Sequence, residues 1–485
     1  MQTQSRIDVL SVEDMDRIKN FMLRMLDEVG YWVEDPWVRD LFDRHGYRVQ
    51  GDRVHASPDQ TLAFLHAYRD NHPLKPQPPR GEIARQQAAY LGVSDVHILD
   101  WDTQKKRPGT LEDNRRAALV VNRLDWVKSL GVAVLPHEAH PQLRGIAGWL
   151  ECAKNSPKAY SGPPGDQMTP VNFRYFQEIR RIVQGLGPDE PCPVGGGADV
   201  VSPLRLPKFS SDKLRLVVDS GATASVASCA LQGMTAMVTV ASVVAQLFAE
   251  VLFGGLFVTL LETEKYGAPR YNLRMGGASF VPTDLRHMRE ACAAMDGVLA
   301  HIAISQMEEH LGLPISRSNY SRIKTEAKLP DIQAGYEKMG TCLLSMLGGL
   351  HWFTAPGELC TNAYFSLEQA LIDHEVAAMV SRAARGVAVG EHCFDMDAFK
   401  AGVARGQFTD LDHTLEHYRE EMFLPEFASK EFYDTWDKHR MQIGDKAHAR
   451  IEEILETAQP QPKFDADILR EIDKALGRFA QELGS

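Results

Sequence analysis

Several devices that announce a chemistry outright are missing from this 485-residue chain. Its seven cysteines (152, 192, 229, 292, 342, 360 and 393) contain no Cys-x-x-Cys pair. An odd, unpatterned set excludes a disulfide frame or a cysteine zinc cluster and reads as reduced thiols, so a cytoplasmic location is expected. There is no long basic run, and 53 Lys and Arg against 65 Asp and Glu leave a net charge of −12. That balance excludes nucleic acid as a partner, because a phosphate backbone demands clustered cations. No charged-then-apolar leader opens the chain, and no Gly-x-Ser-x-Gly, Gly-x-Gly-x-x-Gly or Walker arrangement occurs. His137-Glu138-Ala139-His140 is one residue short of the spacing that puts two histidines on one helical face, and Pro136 and Pro141 flank it. Glu391-His392-Cys393 lacks further ligands. Zinc catalysis is therefore not expected.

What is present is a soluble globular composition, 44% hydrophobic, and a regular alternation of short β-like runs with longer helical ones. The most apolar stretch, Ala236 to Leu261, could barely span a bilayer. Gln246 and Glu250 inside it favour a buried core helix, since a mid-helix carboxylate is costly in lipid; no membrane is expected. Residues 1–90 read as a helical N-terminal extension, ending near the proline-rich run after Pro73. From residue 91 the predicted strands are Val132–Leu135, Lys158–Ser161, Pro193–Gly197, Thr223–Cys229, Arg270–Met275, Ile315–Ser318 and a run around Leu350–Phe353. Helical segments separate them. About eight such units predict an α/β fold, a (β/α)8 TIM-type barrel over residues 91–395. Residues 396–485 read as helical C-terminal additions packed on the barrel.

The most informative stretch is Thr325 to Glu375. Met339, Leu343, Leu344 and Leu347 give an apolar stripe at helical spacing. Gly348-Gly349 ends that helix, His351-Trp352-Phe353 follows, then a Pro-Gly loop, and Ser366 caps the next helix with Gln369 in the capping-box position. Delivering polar and aromatic residues between helices is how a β/α barrel presents ligand-binding groups. Upstream, Ser202-Pro203-Leu204, then Gln232 to Thr239, Gln246 and Ala249-Glu250 follow in order. Near the start stand Glu28-Val29-Gly30 and Asp40-Leu41-Phe42.

This order of signals, from about Asp14 to about Leu455, resembles the trimethylamine methyltransferase family, the corrinoid-dependent methylamine and betaine demethylases. The chain departs from the family pattern at Met237, where the family has Pro, and at Arg270–Arg274. Nothing marks a pyrrolysine, the residue that defines the trimethylamine enzymes, so the resemblance points to the quaternary-amine branch. It implies demethylation of glycine betaine or a related betaine, with a cobalt(I) corrinoid as methyl acceptor. No Asp-x-His-x-x-Gly supplies a lower axial histidine; the nearest miss is Asp95-Val96-His97, with Asp100 where Gly is needed. The corrinoid is thus expected on a cognate partner protein, with none bound tightly here, and a homo-oligomer is expected.

A quaternary ammonium donates no hydrogen bond, so its recognition relies on aromatic faces, while a betaine carboxylate suits a guanidinium fork. The expected substrate-binding residues are Tyr271, Arg274, Tyr320, Arg322, His351, Trp352 and Phe353. Gly195, Gly196 and Gly197 are expected to allow close approach of a flat cofactor, with ordinary strand packing as the alternative. No catalytic side chain is assigned. Also open are another N- or O-methyl substrate, a betaine-binding or corrinoid-docking protein without turnover, and a zinc hydrolase.

Overall fold

A helix that is apolar on every face must be covered on every face, and Val240–Tyr266 meets that demand in an unusual way. It packs its inner side on strands Ala224–Leu231 and Leu273–Val281 and its outer side on the N-terminal helix Val12–Arg24. Gly254 and Gly255 permit the approach, since a Cβ on Gly254 would strike Val226 and one on Gly255 would strike Met275 and Phe64. Phe253 stacks on Tyr31 at 4.0 Å and on Phe42 at 4.9 Å between centroids, so N-terminal rings complete the cover. It is the one helix among the described residues long and apolar enough to cross a membrane, and its apolar window lies wholly inside the protein.

The computed structural model describes residues 7–73, 89–91, 96–313, 321–350, 353–361 and 363–484, with backbone alone at 89–91, 166, 276–278, 321–322, 353 and 392. Within these, the parallel strands fall into two arcs. Ser321–Arg322, Phe353–Thr354, Ala89–Leu91 and Val127–Leu130 are neighbours in that order, and Leu130 bridges in parallel to Ala159. Gly196–Val200, Ala224–Leu231 and Leu273–Val281 form the second arc. The last strand therefore lies beside the first, and helices make the crossovers. The α/β class is as expected. A closed hydrogen-bonded ring is not seen among the described residues, because no ladder joins Ala159 to Gly196–Val200 or Leu273–Val281 to Ser321–Arg322.

Several boundaries differ from the sequence reading. The strand expected at Val132–Leu135 is Val127–Leu130, and the one expected at Arg270–Met275 runs Leu273–Val281. Ile315–Ser318 lies outside the described residues. The N-terminal region is not purely helical. Tyr31–Val33, Arg48–Gln50 and Arg53–His55 form an antiparallel ribbon, which Arg205–Leu206 joins in parallel. These strands are three residues long or shorter, too brief for a period-2 pattern to register.

Beyond the carboxyl ends of the first and last strands sits a small second sheet. His97–Asp100 pairs with Lys105–Pro108, Glu358–Leu359 pairs with Tyr364–Phe365, and Phe365 meets Ile98 in parallel. Leu99, Leu359 and Tyr364 bury a local apolar cluster beneath it. The C-terminal helices pack outside. Ile443–Thr457 lies on Leu367–Arg385 and Leu111–Val121, and Ala466–Glu482 lies on Phe173–Gln184 and Arg144–Asn155.

Candidate functional site

Polar side chains concentrate where Ser321–Arg322 and Phe353–Thr354 end. The reason begins with helix Ile332–Leu347. Its apolar stripe of Met339, Leu343, Leu344 and Leu347 is only half-buried, whereas Lys338, Thr341, Cys342 and Ser345 are buried. The face turned inward is thus the mixed one. Lys338 Nζ lies 2.6 Å from Asp373 Oδ2 and donates to Ile323 O at 3.1 Å. Asp373, on helix Leu367–Arg385, also accepts from Gly357 N at 2.7 Å and from Gln369 Nε2 at 2.8 Å. Burial raises the Asp373 carboxyl above the ordinary carboxylate value, against the pull of the Lys338 ammonium. Ser366 caps its helix as expected, accepting from Gln369 N, but the Gln369 side chain turns to Asp373 rather than back to the cap. One buried pair thus ties together the chain just after each of the two strands.

Above this anchor the loops are stitched to each other. Thr361 N donates to Thr325 O, Cys360 N to Ala327 O, and Thr361 Oγ1 to Glu326 Oε1 at 2.8 Å. Glu337 accepts from Thr325 Oγ1 and Glu326 N. Ala293 N and Arg289 Nη2 reach the same loops, at Glu326 and at Cys360. Ala355, Cys360 and Thr361 have φ of 64°, 53° and 51°. Left-handed backbone at non-glycine residues costs energy and gathers where surroundings over-determine the chain, often at functional sites.

A second buried ion pair lies in the same place. Lys324 and Glu358 are 1% and 6% exposed, and their charged atoms are 3.4 Å apart. Lys324 also lines a small crevice of about 30 Å³ with Ser279, Phe280, Val281, Cys292 and His301. This crevice occupies the seam where Leu273–Val281 and Ser321–Arg322 are not hydrogen bonded. It is the strongest candidate for a ligand site, because parallel α/β folds bind ligands at strand carboxyl ends.

The sequence-derived residues are dispersed. Tyr271 precedes strand Leu273–Val281 and Arg274 is its second residue, exposed, so both sit at the amino end, opposite the crevice. The backbone there is held by Glu262, which accepts from Arg270 N, Tyr271 N and Asn272 N. Gly195, Gly196 and Gly197 likewise lie at an amino end. A Cβ on Gly196 would meet Met168 at 2.4 Å and one on Gly197 would meet Ser225 O at 2.9 Å, so the missing side chains serve strand packing. Arg322 and Phe353 are in strands at the right end, without described side chains, and Tyr320, His351 and Trp352 lie outside the described residues. Lys324, Lys338, Glu358 and Asp373 were not anticipated. A lysine and an aspartate on the inward faces of consecutive helices, with Ser and Thr beside the lysine, was the available signal for the deeper pair.

Two further motifs meet in space. Glu250 accepts from Ser202 Oγ at 2.7 Å, Leu204 N at 2.9 Å, Gln246 Nε2 at 2.9 Å and Ser228 Oγ. Burial raises its carboxyl, and these hydrogen bonds oppose the rise. The conjunction of Ser202-Pro203-Leu204 with Gln246 and Glu250 is therefore a buried brace at the carboxyl end of Gly196–Val200.

Comparison with known proteins gives a consistent picture. Glycine betaine methyltransferase of Desulfitobacterium hafniense (strain Y51) is 24% identical over 492 residues, covering 100% of this chain and 99% of that protein. Trimethylamine methyltransferase MttB of Desulfitobacterium hafniense (strain DSM 10664 / DCB-2) is 22% identical, covering 95% and 92%. Among solved structures, the Methanosarcina barkeri monomethylamine methyltransferase MtmB aligns with a TM-score of 0.48 at 10% identity, covering 93% of this chain and 89% of that one. With the sequence profile of that family matching residues 1–484, the chain belongs to the trimethylamine methyltransferase (MTTB) family.

Proposed function

We propose that this protein is a methyltransferase that demethylates a quaternary amine, glycine betaine or a related betaine, onto a cobalt(I) corrinoid carried by a separate protein. The observation that carries the reading is the end-to-end match to a glycine betaine methyltransferase. The polar crevice at the strand carboxyl ends supports it as the place of binding. In the proposed architecture the two strand arcs complete a β/α barrel with the crevice near its carboxyl-terminal mouth.

The chemistry asks little of the side chains. The corrinoid, when docked, supplies the nucleophile for an N-methyl carbon. The departing amine leaves neutral, so no general acid is needed to expel it. Positive charge is lost from nitrogen as the bond breaks, and a carboxylate held tightly against that nitrogen would favour the ground state. The chain's own task is to fix the substrate, aim one methyl group outward and exclude water.

The test is incubation of the purified protein with reduced corrinoid and a panel of N-methyl compounds, following the absorption change on methylation. Transfer is expected from a betaine and not from trimethylamine. Robust transfer from trimethylamine with none from any betaine would refute the proposal. The relatives named for trimethylamine make that comparison the informative one.

A further inference from the structure

We propose that helices Met396–Arg405 and Asp412–Glu421 form the surface on which a second copy of this chain docks. The inference stands apart from the choice of substrate. Each helix carries large apolar residues at helical spacing: Met396, Phe399 and Val403 on the first, Leu415, Tyr418 and the capping Met422 on the second. Such a stripe ordinarily turns to the core. Here all six side chains are 45–70% exposed.

Within the single chain these helices have little to hold them. Gly402 is the one buried residue of the first, and the second buries none. Phe408, in the connection between them, closes over Gly402 and meets Phe399 at 5.9 Å between centroids. Neither helix makes an extended contact with another described element. Helices of 10 residues do not persist in water on their own, and most helical stability comes from packing an apolar face. The two stripes therefore require a cover.

Position and area decide what the cover is. Helix Leu367–Arg385 starts on the carboxyl side of the strands, just after Tyr364–Phe365, and carries the chain about 28 Å toward the amino side. Near its end Arg382 and Arg385 donate to Glu421 O and Glu420 O, which fixes the end of Asp412–Glu421 there. A corrinoid protein serving the strand carboxyl ends approaches from the opposite side. The longest stretch outside the described residues, 74–88, has only Leu74 and Ile83 as large apolar side chains, too few to line two stripes. A second copy brings two stripes of the same kind, and an isologous contact sets apolar face on apolar face about a two-fold axis. Covered aromatic side chains bury roughly 150–250 Å² each. Two stripes of three large residues therefore approach the roughly 800 Å² per partner of a stable interface.

Light scattering on the full-length protein at micromolar concentration, with hydrogen exchange on the same sample, tests the interface. The expected mass is that of a pair of 54.1 kDa chains, or a multiple of that pair. Amides of Asp412–Glu421 are expected to exchange about 10-fold or more slowly than in a free peptide of that sequence. Val403→Glu/Leu415→Glu places one charge in each stripe at exposed positions and keeps good helix formers. It is expected to halve the mass and release those amides, with circular dichroism confirming a folded chain. A monomeric wild type, or an odd number of copies, overturns the proposal. So does an assembled wild type whose helix exchanges at the free-peptide rate, or a folded variant that keeps the full mass. The exchange measurement on the wild type needs no variant, so it decides the matter even where the double substitution misfolds.

Discussion

His374 shows how one side chain sets a pH limit on the whole chain. It accepts from Trp126 N through Nε2, and burial holds its imidazole down to about 4, against an ordinary 6.5. Well above pH 6.5 it is neutral folded and unfolded, so it costs nothing. Below that, the unfolded chain takes up a proton that the folded one refuses, and stability falls until the native ring also protonates near pH 4. Linkage puts the loss at about 2 kcal/mol at pH 5. His374→Gln, which keeps an acceptor but does not titrate, is expected to lose about that much less stability between pH 7 and pH 5 in urea unfolding. An identical pH dependence in both proteins would contradict this. Glu250 is the other residue with a clear mutational signature. Glu250→Ala strands Leu204 N and two serine hydroxyls in the interior and is expected to cost about 3 kcal/mol, with Glu250→Gln costing less. Denaturation midpoints at pH 7.5 measure both; equal values for Ala and wild type would remove the brace.

At the scale of elements, the site depends on helix Ile332–Leu347 turning its mixed face inward. Lys338 and Asp373 span the gap between that helix and Leu367–Arg385, and through Ile323 O and Gly357 N they fix the chain beyond two adjacent strands. Removing only the lysine leaves a carboxylate with no countercharge at 0% exposure. Lys338→Met is therefore expected to destabilise by about 3–5 kcal/mol, while Lys338→Met/Asp373→Leu recovers most of that loss. Chemical denaturation of the two variants distinguishes this from a simple packing effect, in which the double variant would be the worse. Activity separates fold from function here. If the double variant is stable but slow, the pair's service is to hold Gly357 and its strained loop in place.

At the scale of the molecule, the C-terminal region is fastened to the α/β core by backbone groups as well as by apolar faces. The Glu375 carboxylate accepts from Glu426 N, Phe427 N and Ala428 N at 2.6, 2.7 and 3.1 Å. Lys463 N and Gln461 N donate to Ala153 O and Asn155 O, carbonyls at the end of helix Arg144–Asn155 that have no partner within it. Ile451, Ile454, Ile472, Ala475 and Phe479 bury the facing surfaces. A chain ending at residue 395 would expose those surfaces and leave Glu375 unsatisfied. It is expected to be insoluble or to melt far below the full-length protein; a soluble, fully stable truncation would show the segment to be an independent appendage.

The sequence by itself determined the α/β class, the core character of Val240–Tyr266, the cap at Ser366 and the family resemblance that the full-length match bears out. Each is written in local periodicity, in a residue type at one position, or in the order of short motifs, and none needs knowledge of distant contacts. Tertiary structure decided the rest. Tyr271 and Arg274 looked like strand-end residues, but moving the strand start to Leu273 put them at its amino end, and nothing local distinguishes the two ends of a short strand. Ser202-Pro203-Leu204 and Glu250 could be matched as motifs, yet only folding brings them within hydrogen-bond reach. The apolar stripe of helix Ile332–Leu347 packs half-buried against the core, while the more deeply buried face is the mixed one. A buried Lys338 is affordable only because Asp373, on the next helix, supplies its charge. The same holds for Lys324 and Glu358, 34 positions apart in the sequence and 3.4 Å apart in the fold. Pairing of opposite charges in a desolvated interior is a property of the packed chain, and that is why the candidate site was the part least legible in the sequence.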